Sequence, residues 1–137
     1  MGSILAKGID VKVGLRSADI VGADNMALQA ALNYVADLGG GTVAIEPGTY
    51  LMYDSLHLRS NVAIRGNGTV VLRKCDGFSS RLAEDGDYGE EQVTVADPSG
   101  FRTGMGIAIM DSKAEGFHIT VRTITGIDGK SLLLNGP

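Results

Sequence analysis

The chain is poor in several residue types, and each shortage excludes a class of protein. Only Cys75 is a cysteine among 137 residues, so no disulfide can form within the chain. Tryptophan is absent, and prolines number 3. No apolar run approaches the roughly 20 residues of a membrane-spanning helix, so we expect no membrane partner. The N-terminus "MGSILAKGID" has Lys7 and Asp10 where a secretory signal peptide needs continuous apolar residues.

Positive charge is also scarce. The 12 lysines and arginines are outnumbered by 16 aspartates and glutamates, which gives a formal net charge of -4. Nucleic-acid-binding domains usually carry a basic face, so we expect no nucleic-acid partner. A local basic strip can still bind an acidic polymer, because local fields and total charge are separate properties.

Glycine and apolar residues are plentiful. The chain has 20 glycines, about double the usual share of ~7%. Apolar residues make up 44% of the sequence, which is enough for a hydrophobic core. This composition predicts one domain, or a domain with a small appendage, built from short strands and tight corners rather than from a helical bundle.

The segment 24–38, "DNMALQAALNYVADL", predicts a helix. Asp24 is a suitable N-cap, and Gly39 is suited to the left-handed conformation that ends a helix. The predicted apolar stripe has helical spacing and consists of Leu28, Ala31, Leu32, Val35 and Leu38.

Short runs with alternating apolar residues follow the helix and predict strands. In the first half of the chain they are 42–45, 49–52, 55–60, 61–67 and 69–74. Inward positions are predicted for Val43, Ile45, Leu56, Leu58, Val62, Ile64, Val70 and Leu72. The pair Val43/Ile45 recurs as Val62/Ile64 after 19 positions, which is close to one turn of a solenoid of parallel strands. An antiparallel meander would produce the same alternation.

The order of motifs over residues 19–74 resembles the N-terminal part of the pectate-lyase-like right-handed parallel β-helix proteins. The matching elements are Asp24, Gln29-Ala30-Ala31, Gly39–Val43, Pro47–Tyr50, Ser60-Asn61-Val62, Gly66 and Gly68. The resemblance implies a mainly β fold in which one α-helix caps the open end of a parallel β-helix. A small antiparallel β module is predicted to follow.

The resemblance also implies a function. The chain would be the N-terminal portion of a polysaccharide-acting or polysaccharide-binding protein, whose parent would be a lyase or a hydrolase located outside the cell or on its surface. No catalytic residue of the family can be mapped onto this chain, so we expect no catalysis by the chain alone. The alternative is a structural module of a trimeric fibre or tail-spike-like protein.

The spacing of apolar and turn residues changes in the second half of the chain, and this change divides the sequence into segments. We interpret residues 1–18 as an N-terminal extension, 19–76 as the capping helix and first coils, 77–91 as an acidic loop, and 92–137 as the antiparallel module. The module's predicted strands are 92–97, 106–111, 117–127 and 130–134. Asp128-Gly129 predicts a two-residue hairpin turn of type I′.

Basic residues near the ends of the predicted strands are candidates for substrate binding. If stacked coils bring Arg59, Arg65, Arg73 and Lys74 together, they form a strip suited to the carboxylates of an acidic polysaccharide. Ordinary solubilising charges are the alternative interpretation. His57 is predicted to point outward. Its role is that of a general base, a sugar contact or an ordinary surface histidine. The same three alternatives apply to His118.

The acidic loop is a candidate metal site. Asp85, Asp87 and Glu91 are oxygen ligands of the kind calcium prefers, although a complete EF-hand pattern is missing and a solvated loop is the alternative. No other cofactor is predicted. A solenoid end with unpaired strand edges can pair with other chains, so the sequence also predicts a homo-oligomer formed through open strand edges.

Overall fold

The protein is mainly β, with one helix and several sheets. The computed structural model describes residues 8–84, 90–110 and 119–137, in which ten strands and one helix form. The chain divides into two compact units, Met1–Cys75 and Asp76–Pro137. Over the described ranges no helix combines the length and the apolarity needed to cross a membrane.

The first unit consists of parallel strands and the helix. Its elements are β1 (Ile9–Gly14), β2 (Ile20–Val21), α1 (Asn25–Asp37), β3 (Gly41–Ile45), β4 (Gly48–Met52), β5 (Val62–Gly66) and β6 (Val70–Lys74). One sheet has the order β2-β1-β3-β5, and a second sheet pairs β4 with β6. Every one of these pairings is parallel. The antiparallel meander is therefore wrong for this unit.

The strand register differs from the predicted repeat. Val43 lies beside Ile64, 21 positions later, and Gly48 lies beside Val70, 22 positions later. The predicted repeat of 19 is therefore wrong by two residues for β3 and β5. A shift of two keeps each side chain on its predicted face, because side chains alternate with a period of two. The irregular segment before β5 sets the repeat length, and alternation within a strand carries no information about that length.

Both predicted ends of α1 are confirmed. The Asp24 carboxylate accepts hydrogen bonds from the backbone N–H groups of Met26 and Ala27, at 3.0 and 3.2 Å. Gly39 has φ 96°, and its N–H bonds to the carbonyl of Ala36 at 3.0 Å. The next N–H, of Gly40, reaches the carbonyl of Val35 at 3.0 Å. These two bonds form the Schellman motif that satisfies the last carbonyl groups of a helix.

The core of the first unit lies between α1 and the inner faces of that unit's two sheets. Its buried members are Val11, Val13, Leu28, Ala31, Leu32, Val35, Val43, Ile45 and Tyr50. The predicted buried stripe of the helix is confirmed except at Leu38, which is 56% exposed. Leu38 is the C-cap, one residue beyond the last helical residue Asp37, so helical geometry no longer holds its side chain on the stripe.

Strand β1 lies inside the segment that was expected to be an N-terminal extension. It pairs with β3 from Ile9 beside Gly41 to Val13 beside Ile45, and its inner side chains are buried. The sequence "IDVKVG" alternates, but its partner is 32 positions away. Gly41 is required at this junction, because an added Cβ would lie 2.1 Å from the carbonyl oxygen of Ile9.

The predicted strand at 55–60 is wrong. This stretch has no strand or helix, and Leu58, predicted to point inward, is 75% exposed. The physical reason is a side chain of the helix. Gln29 accepts a hydrogen bond from the N–H of His57 and donates one to its carbonyl oxygen, at 2.7 and 3.0 Å. These bonds satisfy the backbone groups that a β-ladder would otherwise use.

The second unit is an antiparallel sheet, as predicted. Its strands are β7 (Gln92–Thr94), β8 (Gly106–Ile109), β9 (Thr120–Asp128) and β10 (Ser131–Leu134). The order is β7-β10-β9-β8, and all pairings are antiparallel. The buried apolar side chains of this unit are Val95, Met105, Ile124, Leu132 and Leu134.

The hairpin between β9 and β10 is displaced by one residue from its prediction. Asp128 pairs with Ser131, so the two loop residues are Gly129 and Lys130 rather than Asp128 and Gly129. Gly129 has φ 58°, and among the described residues other than glycine only Asn61 has a positive φ. A positive φ at the first loop position alone indicates a type II′ turn instead of the predicted type I′.

Candidate functional site

The segment 53–61 is held against a flank of α1 by amide side chains of the helix. Gln29 bonds both backbone groups of His57. The buried Asn25 accepts a hydrogen bond from the N–H of Tyr53 at 3.0 Å. The helix therefore fixes the position of a segment that has no secondary structure of its own.

His57 has a carboxylate partner in this segment. Its Nε2 lies 3.3 Å from Oδ2 of Asp54, and the His57 side chain is 61% exposed whereas that of Asp54 is 12% exposed. Oδ1 of Asp54 accepts the N–H of Ser55 at 2.7 Å, which helps to orient the carboxylate. A carboxylate on one ring nitrogen favours the tautomer whose other nitrogen is free to accept a proton or a hydrogen bond. The predicted outward orientation of His57 is confirmed, and the pair offers a ligand one oriented imidazole.

The side chain of Arg59 lies against helix α1. Its guanidinium donates to Oδ1 of Asn33 at 3.0 Å and to Oδ1 of Asp37 at 3.3 Å. Asn33 also accepts from Gln29 at 3.1 Å, so the three helix residues form one polar flank. Arg59 attaches the segment 53–61 to this flank, and this contact occupies donors that the predicted strip would present to a ligand.

The other three predicted cations are not brought into one strip. Arg65 lies on β5, in the four-stranded sheet, whereas Arg73 and Lys74 lie on β6, in the two-stranded sheet. Arg73 and Lys74 are consecutive in a strand, so they point to opposite faces. Within the described part of the chain, no ion pair involves any of these three side chains.

Arg65 has a cationic neighbour that sequence reasoning missed. Ala44 on β3 lies beside Arg65 on one side and beside Lys12 of β1 on the other. The two cations are thus two strand spacings apart, about 10 Å, on the face opposite the buried Val11 and Val13. A small, buried side chain separates them, and this row of three is called the Lys12–Arg65 row below. Lys12 could have been found only by recognising β1 from its alternation.

The next position along this face is polar as well. The amide of Asn67 donates to a carboxylate oxygen of Glu46 at 3.4 Å. The Tyr50 hydroxyl donates to the backbone carbonyl of Glu46 at 2.8 Å. Burial, together with the charge of Glu46, raises the pKa of Tyr50. Tyr50 therefore stays a neutral structural donor that holds the corner between β3 and β4.

A cleft of about 690 Å³ lies at the end of α1 and takes in the glycine-rich junction. Its lining residues are Gly8, Ile9, Asp10, Leu38, Gly39, Gly40, Gly41, Thr42 and Asn61. Gly40 and Asn61 approach so closely that a Cβ on Gly40 would lie 2.6 Å from the Asn61 carbonyl oxygen. The lining carries one carboxylate, Asp10, and no cation, so it is a less suitable place than the Lys12–Arg65 row for an acidic ligand.

The predicted metal site falls mostly on residues outside the described ranges. Asp85 and Asp87 lie there, as does His118. Glu91 is exposed, and its backbone carbonyl accepts the N–H of Leu134 at 2.8 Å. Among the residues with described positions, no three His, Cys, Asp or Glu side chains converge on a common point. The calcium site therefore stays a prediction.

Comparison with known proteins gives no relative. No protein-family model, curated protein or solved structure matches the chain. The resemblance to the parallel β-helix proteins therefore rests on the motifs of residues 19–74, and any function assigned to the Lys12–Arg65 row rests on its own geometry.

Proposed function

We propose that this chain is the N-terminal part of a right-handed parallel β-helix protein that binds an acidic polysaccharide, and that it is not catalytic by itself. One observation carries the proposal. Two consecutive strands, β3 and β4, are each repeated in parallel by β5 and β6, with offsets of 21 and 22 residues. A strand, a short corner and a second strand stacked on their own repeat are what a solenoid coil requires. The buried stripe of α1 covers the first coil.

The Lys12–Arg65 row is the proposed contact for the polysaccharide. Two cations flanking a small side chain on a sheet face can bind the carboxylates of neighbouring sugar units through charged hydrogen bonds. Neither side chain has an ion-pair partner among the described residues, so binding breaks no existing pair.

Binding measurements with matched variants test this proposal. We expect the chain to bind an acidic polysaccharide more tightly than a neutral one by calorimetry, with an affinity that falls as salt is added. The double variant Lys12→Gln/Arg65→Gln should lose about tenfold in affinity. Arg81→Gln/Lys130→Gln, which also removes two exposed positive charges but in the second unit, is the control and should bind like the parent. Equal loss in both variants would mean that only net charge matters, and the row would not be the site.

The non-catalytic part of the proposal has its own test. Acidic and neutral glycans incubated with the 137-residue chain should keep their length in chromatography. Robust depolymerisation by the chain alone would contradict this expectation and would direct attention to the Asp54–His57 pair.

An assembly module is the second candidate function, and the strand edges favour it. β5 and β6 are the terminal strands of their sheets, and the inward-type side chains Ile64 and Leu72 are 40% and 45% exposed. Unpaired edges with apolar side chains can add strands from other chains. A defined trimer in light scattering, without affinity for any glycan, would favour this function over polysaccharide binding.

A further inference from the structure

The corner between β5 and β6 contains an Asn-Gly pair, Asn67-Gly68. An asparagine followed by glycine is prone to a spontaneous reaction, because glycine has no side chain to block the approach of its nitrogen and its backbone rotates freely. The sequence has two such pairs, and the other is Asn135-Gly136, directly after β10. The two pairs share the same local chemistry, so only their surroundings in the fold distinguish them.

The fold holds the first pair weakly. The ladder between β3 and β5 ends where the N–H of Asn67 donates to the carbonyl of Ile45 at 2.8 Å. The next N–H, of Gly68, makes no hydrogen bond within the described ranges, and Gly68 is exposed to water. The Asn67 amide nitrogen donates to Glu46 at 3.4 Å, which is long for a hydrogen bond. The Asn67 side chain can therefore turn towards the Gly68 nitrogen at little cost.

The second pair is held more firmly. The side-chain oxygen of Asn135 accepts the N–H of Thr123 at 3.0 Å, and the N–H of Asn135 donates to the Thr123 carbonyl at 3.1 Å. Beyond Gly136, the Nε of Arg122 donates to the carbonyl of Pro137 at 3.0 Å. The Asn135 side chain must leave Thr123 before it can react, and breaking one ordinary hydrogen bond slows a reaction about three- to tenfold.

We propose that Asn67 is a site of spontaneous deamidation in the folded protein. The Gly68 nitrogen attacks Cγ of Asn67 and forms a C–N bond, while the Cγ–Nδ2 bond breaks and ammonia leaves with the proton of the Gly68 N–H. Water then adds to one of the two carbonyl groups of the resulting succinimide ring. Opening at Cγ gives aspartate, and opening at the backbone carbonyl gives isoaspartate, in which the chain continues through the side chain. Water is the one co-reactant, and no electrons are exchanged.

The product carries a carboxylate where the parent has an amide. The hydrogen bond that Asn67 donates to Glu46 is lost, and two negative charges then face each other at the corner. Arg65 lies two positions earlier on the same face, about 7 Å away along the strand. The new carboxylate therefore also competes with an acidic ligand for Arg65. This last consequence rests on the proposed function, whereas the reaction itself does not.

Peptide mapping by mass spectrometry tests the site in the full chain. The protein is incubated in mildly alkaline buffer, with and without concentrated urea, and the mass change from amide to acid is followed at each asparagine. In the native protein Asn67 should react about three to ten times faster than Asn135. In urea the two pairs lose their surroundings, and their rates should become similar.

Three results of the mapping would overturn the proposal. Asn135 reacting as fast as Asn67, or faster, in the native protein would show that the hydrogen bonds of the fold do not control the reaction. A preference for Asn67 that persists in urea would assign the difference to sequence alone. A native Asn67 that stays intact while the urea sample reacts would show that the fold protects this pair.

Matched variants test which asparagine produces the charge change. Deamidation makes the net charge one unit more negative than -4, so an acidic species accumulates in anion-exchange chromatography. Asn67→Gln should slow this accumulation at least about threefold, because glutamine keeps the amide but must close a larger ring. Asn135→Gln is the control and should stay close to the parent rate. The opposite pattern would assign the reaction to Asn135 and refute the proposal.

Asn67→Asp separates the reaction from its consequence for binding. This variant carries the charge of the product from the start, and it should bind an acidic polysaccharide several-fold more weakly than Asn67→Gln. Equal affinities would refute the competition for Arg65 and would count against the proposed function. The mapping result is independent of this measurement, so a failure of the proposed function and a failure of the deamidation site are distinguishable.

Discussion

At the scale of single residues, polar side chains decide where the chain changes direction. Asp24 begins α1, Gln29 holds His57 in place, and the Tyr50 hydroxyl fixes the corner between β3 and β4. Asp24 was predictable, because an N-cap bonds to backbone groups two and three residues away. Gln29 was not, because its partner is 28 residues away and no local pattern links the two.

Asp97 gives a prediction of pH dependence at this scale. Hydrogen bonds from the Ser99 hydroxyl and from its backbone N–H lower the pKa of Asp97 below the ordinary value of 3.8, and Lys130 lowers it further. The backbone bond is 3.0 Å long. A lowered pKa in the folded state means that the ionised carboxylate stabilises the fold above pH 3.8, and that this contribution disappears as the pH falls through the lowered pKa.

Carbon-detected NMR titration of the Asp97 carboxyl checks this expectation. The midpoint should lie below 3.8 and should rise in Ser99→Ala, which keeps the backbone donor and removes the hydroxyl. Ser79→Ala, also at an exposed serine, is the control and should not move it. A midpoint at or above 3.8 in the parent protein would show that Ser99 does not stabilise the carboxylate in solution.

At the scale of elements, sequence patterns were reliable where the determining contacts are local. Both ends of α1 and its buried stripe, apart from Leu38, were predicted correctly, because caps and helical spacing act within a few residues. The segment 55–60 failed, because alternation shows only which side chains could share a face. Whether a strand forms depends on a partner for the backbone, and the Gln29 amide supplies that partner here.

The buried stripe of α1 predicts a large difference between two similar substitutions. Leu32 is 1% exposed, so Leu32→Asp places an unpaired carboxylate in the core and should cost about 3 kcal/mol or more of the free energy of unfolding. Tyr34→Asp, on the same helix but 53% exposed, should cost under about 1 kcal/mol. Urea denaturation at low protein concentration measures both. Equal costs would mean that the two faces of α1 do not differ in burial as described.

The turn type of the β9–β10 hairpin predicts at which of its two loop residues a non-glycine side chain causes strain. A non-glycine residue at Gly129 must adopt the positive φ of 58°, so Gly129→Ala should cost about 1–2 kcal/mol in thermal or urea unfolding. Steric contact adds nothing to this cost, because no atom lies within 4 Å of the added Cβ. Lys130→Gly discriminates between turn types. In a type I′ turn it would relieve strain and stabilise the protein, whereas in the type II′ turn it should not.

At the scale of the whole molecule, contacts between distant parts of the chain limited the prediction. The antiparallel sheet of the second unit was predicted from its strands and turn, which are close in sequence. The four-stranded sheet of the first unit was predicted without β1 and β2, and the partner of β1 in β3 lies 32 positions later in the sequence. The prediction of the candidate site was affected most by these long-range contacts. Arg59, Arg65, Arg73 and Lys74 were chosen by position along the chain, but Lys12 enters only through β1, and Arg59 lies against α1.

Each compact unit has its own set of buried apolar side chains, which predicts that the two units respond separately to core mutations. Leu132 is 0% exposed in the second unit, and Leu132→Ala should cost about 2–5 kcal/mol there. Hydrogen exchange measured by mass spectrometry should show faster exchange in β7, β9 and β10, with no change in β3 and β4 of the first unit. The reciprocal variant, Val13→Ala in β1, should accelerate exchange in β3 and leave β9 and β10 unchanged. If either variant accelerates exchange equally in both units, the chain unfolds as one cooperative domain, and the division after Cys75 has no energetic counterpart.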